Sequence, residues 1–160
     1  MLKIIGILLI VASCSAIGIL QSRSYKQRVD GIRSFIDAFQ IAKAEIVFKN
    51  TPVLDVFRLL EQRAAGAAKS FFGCMKADDT FSAGEILKKS NLKESENTEI
   101  DSILSVLGRY DSVNQAEVID RGILHLEELH NSAQRELSKN GKLSSAIGVT
   151  CGIVIAVLLL

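Results

Sequence analysis

Tryptophan is absent from this 160-residue chain, proline occurs once, at Pro52, and there are two histidines and three cysteines. Each shortage removes a class of chemistry. His125 and His130 are five residues apart, the wrong interval for two ligands on one helical face. Cys14, Cys74 and Cys151 have neither metal-ligand spacing nor a paired framework. No glycine-rich phosphate loop, nucleophile elbow or helical zinc-binding pair occurs. Glu127 and Glu128 are adjacent, so on a helix they point in different directions and read as a solvated face. Lys88, Lys89 and Lys93 form a basic cluster without interleaved aromatics, which speaks against nucleic-acid binding. The sequence therefore predicts no catalytic residue, no cofactor or metal site, and no nucleic-acid or small-molecule partner.

What the chain does have is apolar residues, 48% of the total, unevenly placed. Ile4 to Leu20 and Leu143 to Leu160 carry no charge. As helices, each run is roughly 26 Å long against a hydrocarbon core of about 30 Å. The expected organisation is an N-terminal membrane span over 1–21, a helical domain over 22–142, and a C-terminal span over 143–160. Positive charge collects at both junctions. Arg23, Lys26 and Arg28 follow the first span before any acid, and Lys139 and Lys142 precede the second. Residues 30 to 136 between them hold 13 basic against 18 acidic residues, a balance of −5. Basic flanks stay on the cytoplasmic side, so the domain is expected in the cytoplasm. An export signal is the rival reading. Val11-Ala12-Ser13-Cys14 resembles a lipoprotein cleavage box, which would leave an exported binding protein held by lipid on Cys14. Ser15 to Leu20 stays apolar after that cysteine, which favours an uncleaved span. A tail-anchored regulator is a further alternative.

Between the apolar runs the pattern is helical throughout, and the fold class expected is all-α, a bundle of about six helices. Val29, Ile32, Ile36, Phe39 and Ile46 recur by threes and fours from Tyr25, with Phe35 and Ala42 beside them. They predict one long helix from about Ser22 to Lys49, continuous with the first span. Thr51-Pro52 reads as the cap and first residue of a second helix with Val53, Val56, Phe57, Leu60 and Ala64 inward. Gly66 breaks the chain before a short helix carrying Ala68, Phe71, Phe72 and Met75, closed by Asp78-Asp79. Ser82 and Glu85 form a capping box for a fourth helix, and Asn91 to Asn97 is read as loop. A fifth helix bears Ile100, Ile103, Leu104 and Leu107 and ends at Gly108. The last begins at Asp111 or Ser112, with Gln115 completing a box, and turns Ala116, Ile119, Ile123, Leu126, His130, Ala133 and Leu137 to one side. Asn140-Gly141 ends or bends it. In the second span Ser144, Gly148, Gly152 and Ala156 recur every four residues, as Cys14, Gly18 and Ser22 do in the first. In lipid such small-residue faces let helix backbones approach closely.

Several pieces taken in order carry a family resemblance. They are the Met1-Leu2-Lys3-Ile4-Ile5-Gly6 opening, Ala44-Glu45-Ile46 followed by Thr51-Pro52, and Leu107-Gly108-Arg109-Tyr110-Asp111-Ser112-Val113-Asn114-Gln115. Leu126-Glu127, Asn140-Gly141-Lys142 and the glycines Gly148 and Gly152 complete the series. With this layout the chain resembles the stage III sporulation protein AB family of endospore-forming bacteria, which is similar to the cytoplasmic domain of type II secretion inner-membrane platform proteins. The resemblance implies a non-enzymatic component of the channel between mother cell and forespore, placed in the mother-cell-derived membrane. Its implied partners are the bilayer, a secretion-type ATPase (stage III sporulation protein AA) and other membrane components of the channel. Pro52, Leu107, Gly108, Asp111, Gln115, Asn140 and Gly141 are the candidate structural or partner-contact residues, and Gly148 and Gly152 the candidate packing residues within the membrane.

Overall fold

A computed structural model describes residues 2–77, 83–88, 90–107, 112–141 and the single positions 146, 150 and 154; the side chains at 2–12, 14, 15, 76, 77, 85, 88, 112 and 113 are outside that description. All regular structure among the described residues is helical. The elements are α1 (Leu2–Lys49), α2 (Val53–Arg63), α3 (Gly66–Ala77), α4 (Ala83–Lys88), α5 (Glu94–Val106) and α6 (Ser112–Glu136), followed by a π-helical turn (Leu137–Gly141). The expected layout of two long helices framing four short ones is what forms. The chain divides into two compact units, one of residues 1–27 and 132–160, the other of residues 28–131.

In the second unit α1 is the central helix. Val29, Ile32, Phe35, Ile36, Phe39, Ala42 and Ile46 are all buried, so the periodic stripe is the buried face. The stripe is wide because α1 has partners on several sides. Phe35 meets Phe71 of α3 edge-on at 5.5 Å, and Phe72 beside it stacks on Phe57 of α2 at 5.9 Å. Ser34 donates from its hydroxyl to the Gly31 carbonyl and accepts the Ala68 amide at 3.1 Å. A serine of α1 thus satisfies a first-turn donor of α3 that α3 itself cannot. Gly66 opens α3 with φ +54°, which a residue with a β-carbon adopts at a cost. α4 packs against α3 and α5, with Leu87 wholly buried.

Two sequence expectations need correction. Asn91 to Asn97 is not all loop, because α5 begins at Glu94. Glu96 is the reason. It is fully buried, its Oε2 accepts the Lys93 amide at 2.9 Å, and its Oε1 binds the Arg28 guanidinium of α1. A polar stretch becomes helix there because its acid reaches a buried cation. Thr51 does not cap α2 either; Pro52 is the residue before α2, and the Thr51 hydroxyl turns back to Glu45. Ser82, Asp78, Asp79, Gly108 and Asp111 lie outside the described residues, as do Gly148 and Gly152.

α6 buries Ile119, Ile123 and Leu126 as its period demands. It also buries Gly122, where an added β-carbon would overlap the Ile103 side chain of α5. Lys43 of α1 reaches both carboxylate oxygens of Asp120 at 2.6 Å. In the first unit Gly18 and Ala133 are buried, and a β-carbon on Gly141 would sit 3.0 Å from Leu137 Cδ1 and 3.5 Å from Ser22 Oγ. Among the described residues no helix is long and apolar enough to cross a membrane; most of the two uncharged runs falls outside the described side chains.

The Gly122 contact reverses an ordinary rule. In a helix Gly→Ala normally stabilises by about 1 kcal/mol. Here Gly122→Ala is expected to destabilise by about 1–3 kcal/mol, because the methyl must displace Ile103. Denaturant unfolding of the single variant and of Gly122→Ala combined with Ile103→Ala checks it. The Ile103→Ala change should cost less in the Gly122→Ala background than alone.

Candidate functional site

The described residues hold no group of three or more His, Cys, Asp and Glu placed to bind a metal. The most distinctive surface is the corner between α1 and α2. Its construction starts from one acid. Glu45 lies on the edge of the buried stripe of α1 and is almost fully covered. Lys49, one turn on, donates to its Oε1 at 2.7 Å. The Thr51 hydroxyl donates to its Oε2 at 3.3 Å, and the Thr51 amide donates to its backbone carbonyl at 3.2 Å. Arg63, at the end of α2, brings its guanidinium to 3.9 Å. One carboxylate therefore gathers the end of α1, the turn and the end of α2.

The backbone of the corner follows from local chemistry. Asn50 takes φ 50°, a left-handed conformation that asparagine tolerates better than most residues and that stops a helix. Pro52 is extended at φ −56° and ψ 142°, and its carbonyl accepts the Asp55 and Val56 amides to begin α2. The Lys49 hydrogen bond holds the Glu45 carboxyl below its ordinary range. Partial covering works the other way, while the Lys49 charge, the Thr51 hydroxyl and the Arg63 charge add to the lowering.

On the outside of this braced corner are the two most exposed large apolar side chains described, Phe48 at 83% and Leu54 at 73%. Pro52 is exposed between them. Single exposed apolar residues are ordinary on a protein surface; here two of them flank one turn.

The other candidates separate by burial. Leu107 and Gln115 are buried, so both act inside the bundle. Asn140 is half-buried and Gly141 buried in the π-helical turn, a rare local form. Of the sequence candidates among the described residues, only Pro52 comes to an exposed position. Phe48 and Leu54 were not singled out by the sequence, and Glu45 figured there only within the family resemblance. The available signal was an acid on an apolar stripe four residues before a lysine, followed by an outward-facing phenylalanine. Arg28, read from sequence as a flanking cation, is buried against Glu96; Arg23 and Lys26 remain exposed.

A family model described as Stage III sporulation protein AB matches residues 3–160. The chain belongs to the stage III sporulation protein AB family. A relative from Bacillus subtilis (strain 168), named Stage III sporulation protein AB, is 27% identical over 171 aligned residues that cover all of both chains. No solved structure matches the chain. Membership in the stage III sporulation protein AB family places the role of this helical bundle in sporulation.

The Glu45 cluster makes a pH prediction. A carboxyl held low in the folded state contributes stability above its ordinary pKa and loses it as pH falls through the lowered folded value. The melting temperature of the wild-type chain should exceed that of Glu45→Gln at neutral pH. The gap should close as the pH falls below the ordinary glutamate range. Thermal melts of both proteins across that range check the expectation; a gap constant with pH would show that the charge of Glu45 contributes nothing.

Proposed function

We propose that this protein is a non-enzymatic membrane component of the channel complex between mother cell and forespore, acting as an assembly platform for a secretion-type ATPase. It would reside in the mother-cell-derived membrane with the helical unit in the cytoplasm. The family match over residues 3–160 carries the reading, because it ties the whole layout and not one segment to sporulation. The backbone adds support. α1 is a single helix from Leu2 to Lys49, so the uncharged run from Ile4 to Leu20 and the central helix of the bundle are one element. An element of that kind suits a protein fixed in a bilayer at one part and offering a binding surface at another. Exposed Arg23 and Lys26 supply the basic exit expected on the cytoplasmic side.

Topology is the decisive test. Glu94 is exposed at the start of α5, so Glu94→Cys in a background with Cys14, Cys74 and Cys151 replaced by serine provides a labelling site. In intact vegetative cells expressing this chain, a membrane-impermeant maleimide should label the introduced thiol only after permeabilisation. Labelling without permeabilisation would place the bundle outside and support the lipid-anchored alternative.

A further inference from the structure

We infer that the corner between α1 and α2 is a docking surface for a folded cytoplasmic protein that presents an apolar pocket edged by carboxylates. The inference rests on the platform reading and names the surface through which that platform would work. Three properties of the corner converge on such a partner. The first is preorganisation. Glu45, Asn50 and Pro52 fix the turn before anything binds, so Phe48 and Leu54 lose little further freedom on entering a pocket. The second is composition. An exposed aromatic and an exposed leucine, on helices that also expose lysine and arginine, have the composition of an interface with an apolar centre and a charged edge.

The third is the sign of the accessible charge. The side chains of Lys49, Arg58 and Arg63 are 62%, 67% and 62% exposed. The Glu45 side chain that balances two of them is only 7% exposed, which leaves Asp55, at 52%, and the half-buried Glu61 as the accessible acids of α2. The corner therefore offers cations outward and keeps its main counter-charge inside. A partner edged by carboxylates complements it. A second copy of this chain would bring Lys49, Arg58 and Arg63 against their own like charges. An anionic lipid surface calls for a cluster of four to eight basic residues, and the corner offers three.

Recovery of the secretion-type ATPase with the detergent-solubilised full-length chain, from sporulating cells, tests the proposal. Phe48→Glu and Leu54→Glu should each lower recovery at least tenfold, and Arg58→Glu several-fold, at unchanged abundance of the chain. Leu124→Glu is the control, since Leu124 is 61% exposed but lies on α6. A photo-crosslinking phenylalanine analogue at position 48 should give an adduct of the summed mass of chain and ATPase, absent from cells lacking the ATPase. If wild type recovers the ATPase and the Phe48 and Leu54 variants do so equally, the corner is not the surface, while the platform reading stands. If wild type recovers none, the platform reading falls and the occupant named here with it. An adduct to lipid, or to a second copy, also overturns the proposal.

Discussion

The bundle depends on a carboxylate with no access to water. Glu96 is fully buried, and a charge so placed is tolerable only if it is paired and its lone pairs are used. Arg28 meets that need from α1: its Nε donates to Oε1 at 2.8 Å, and the same oxygen accepts from a terminal nitrogen of the guanidinium. The second oxygen takes the Lys93 amide at the start of α5, where the helix dipole also favours a negative group. One side chain thus joins a long-range ion pair to a local helix cap. Sliding α5 along α1 by a turn would separate the buried Glu96 carboxylate from the Arg28 guanidinium. The pair sets register, and much of the remaining packing follows from it. Gly31 of α1 lets Leu92 come close, α4 rests on α5, and α6 approaches α5 at Gly122.

The corner of α1 and α2 repeats the device at a more exposed site. Glu45, on the central helix, is likewise an acid that collects several donors, but its cations reach solvent. The consequence differs accordingly. Glu96 fixes what is inside the bundle, and Glu45 fixes what is shown outside it.

Much of the architecture was legible because local patterns encode it. Val29 to Ile46 recur at helical intervals, and burial follows that stripe. Pro52 and Gly66 mark the corners, and Ile119, Ile123 and Leu126 face inward as their spacing requires. What was not legible is what depends on a distant partner. Glu96 sits in a stretch that looks like loop because its cation is 68 residues away in sequence. Gly122 looks like a weak helix residue until Ile103 is seen against it. Thr51 has the composition of a cap, yet a covered glutamate takes its hydroxyl. The exposed corner escaped for a related reason, since apolar residues near a turn signal core until burial shows that nothing covers them.

The central claim is that Arg28 and Glu96 act as a unit that fixes α5 on α1. A double-mutant cycle of Arg28→Met and Glu96→Met, by denaturant unfolding of the full-length chain in one detergent, tests it most directly. Each single variant removes one member of the buried pair and should cost about 3–5 kcal/mol. The double variant removes both charges together, so it should be more stable than the sum of the singles implies, by roughly 2 kcal/mol or more. Costs that add to within about 0.5 kcal/mol would show two independent residues and contradict the account.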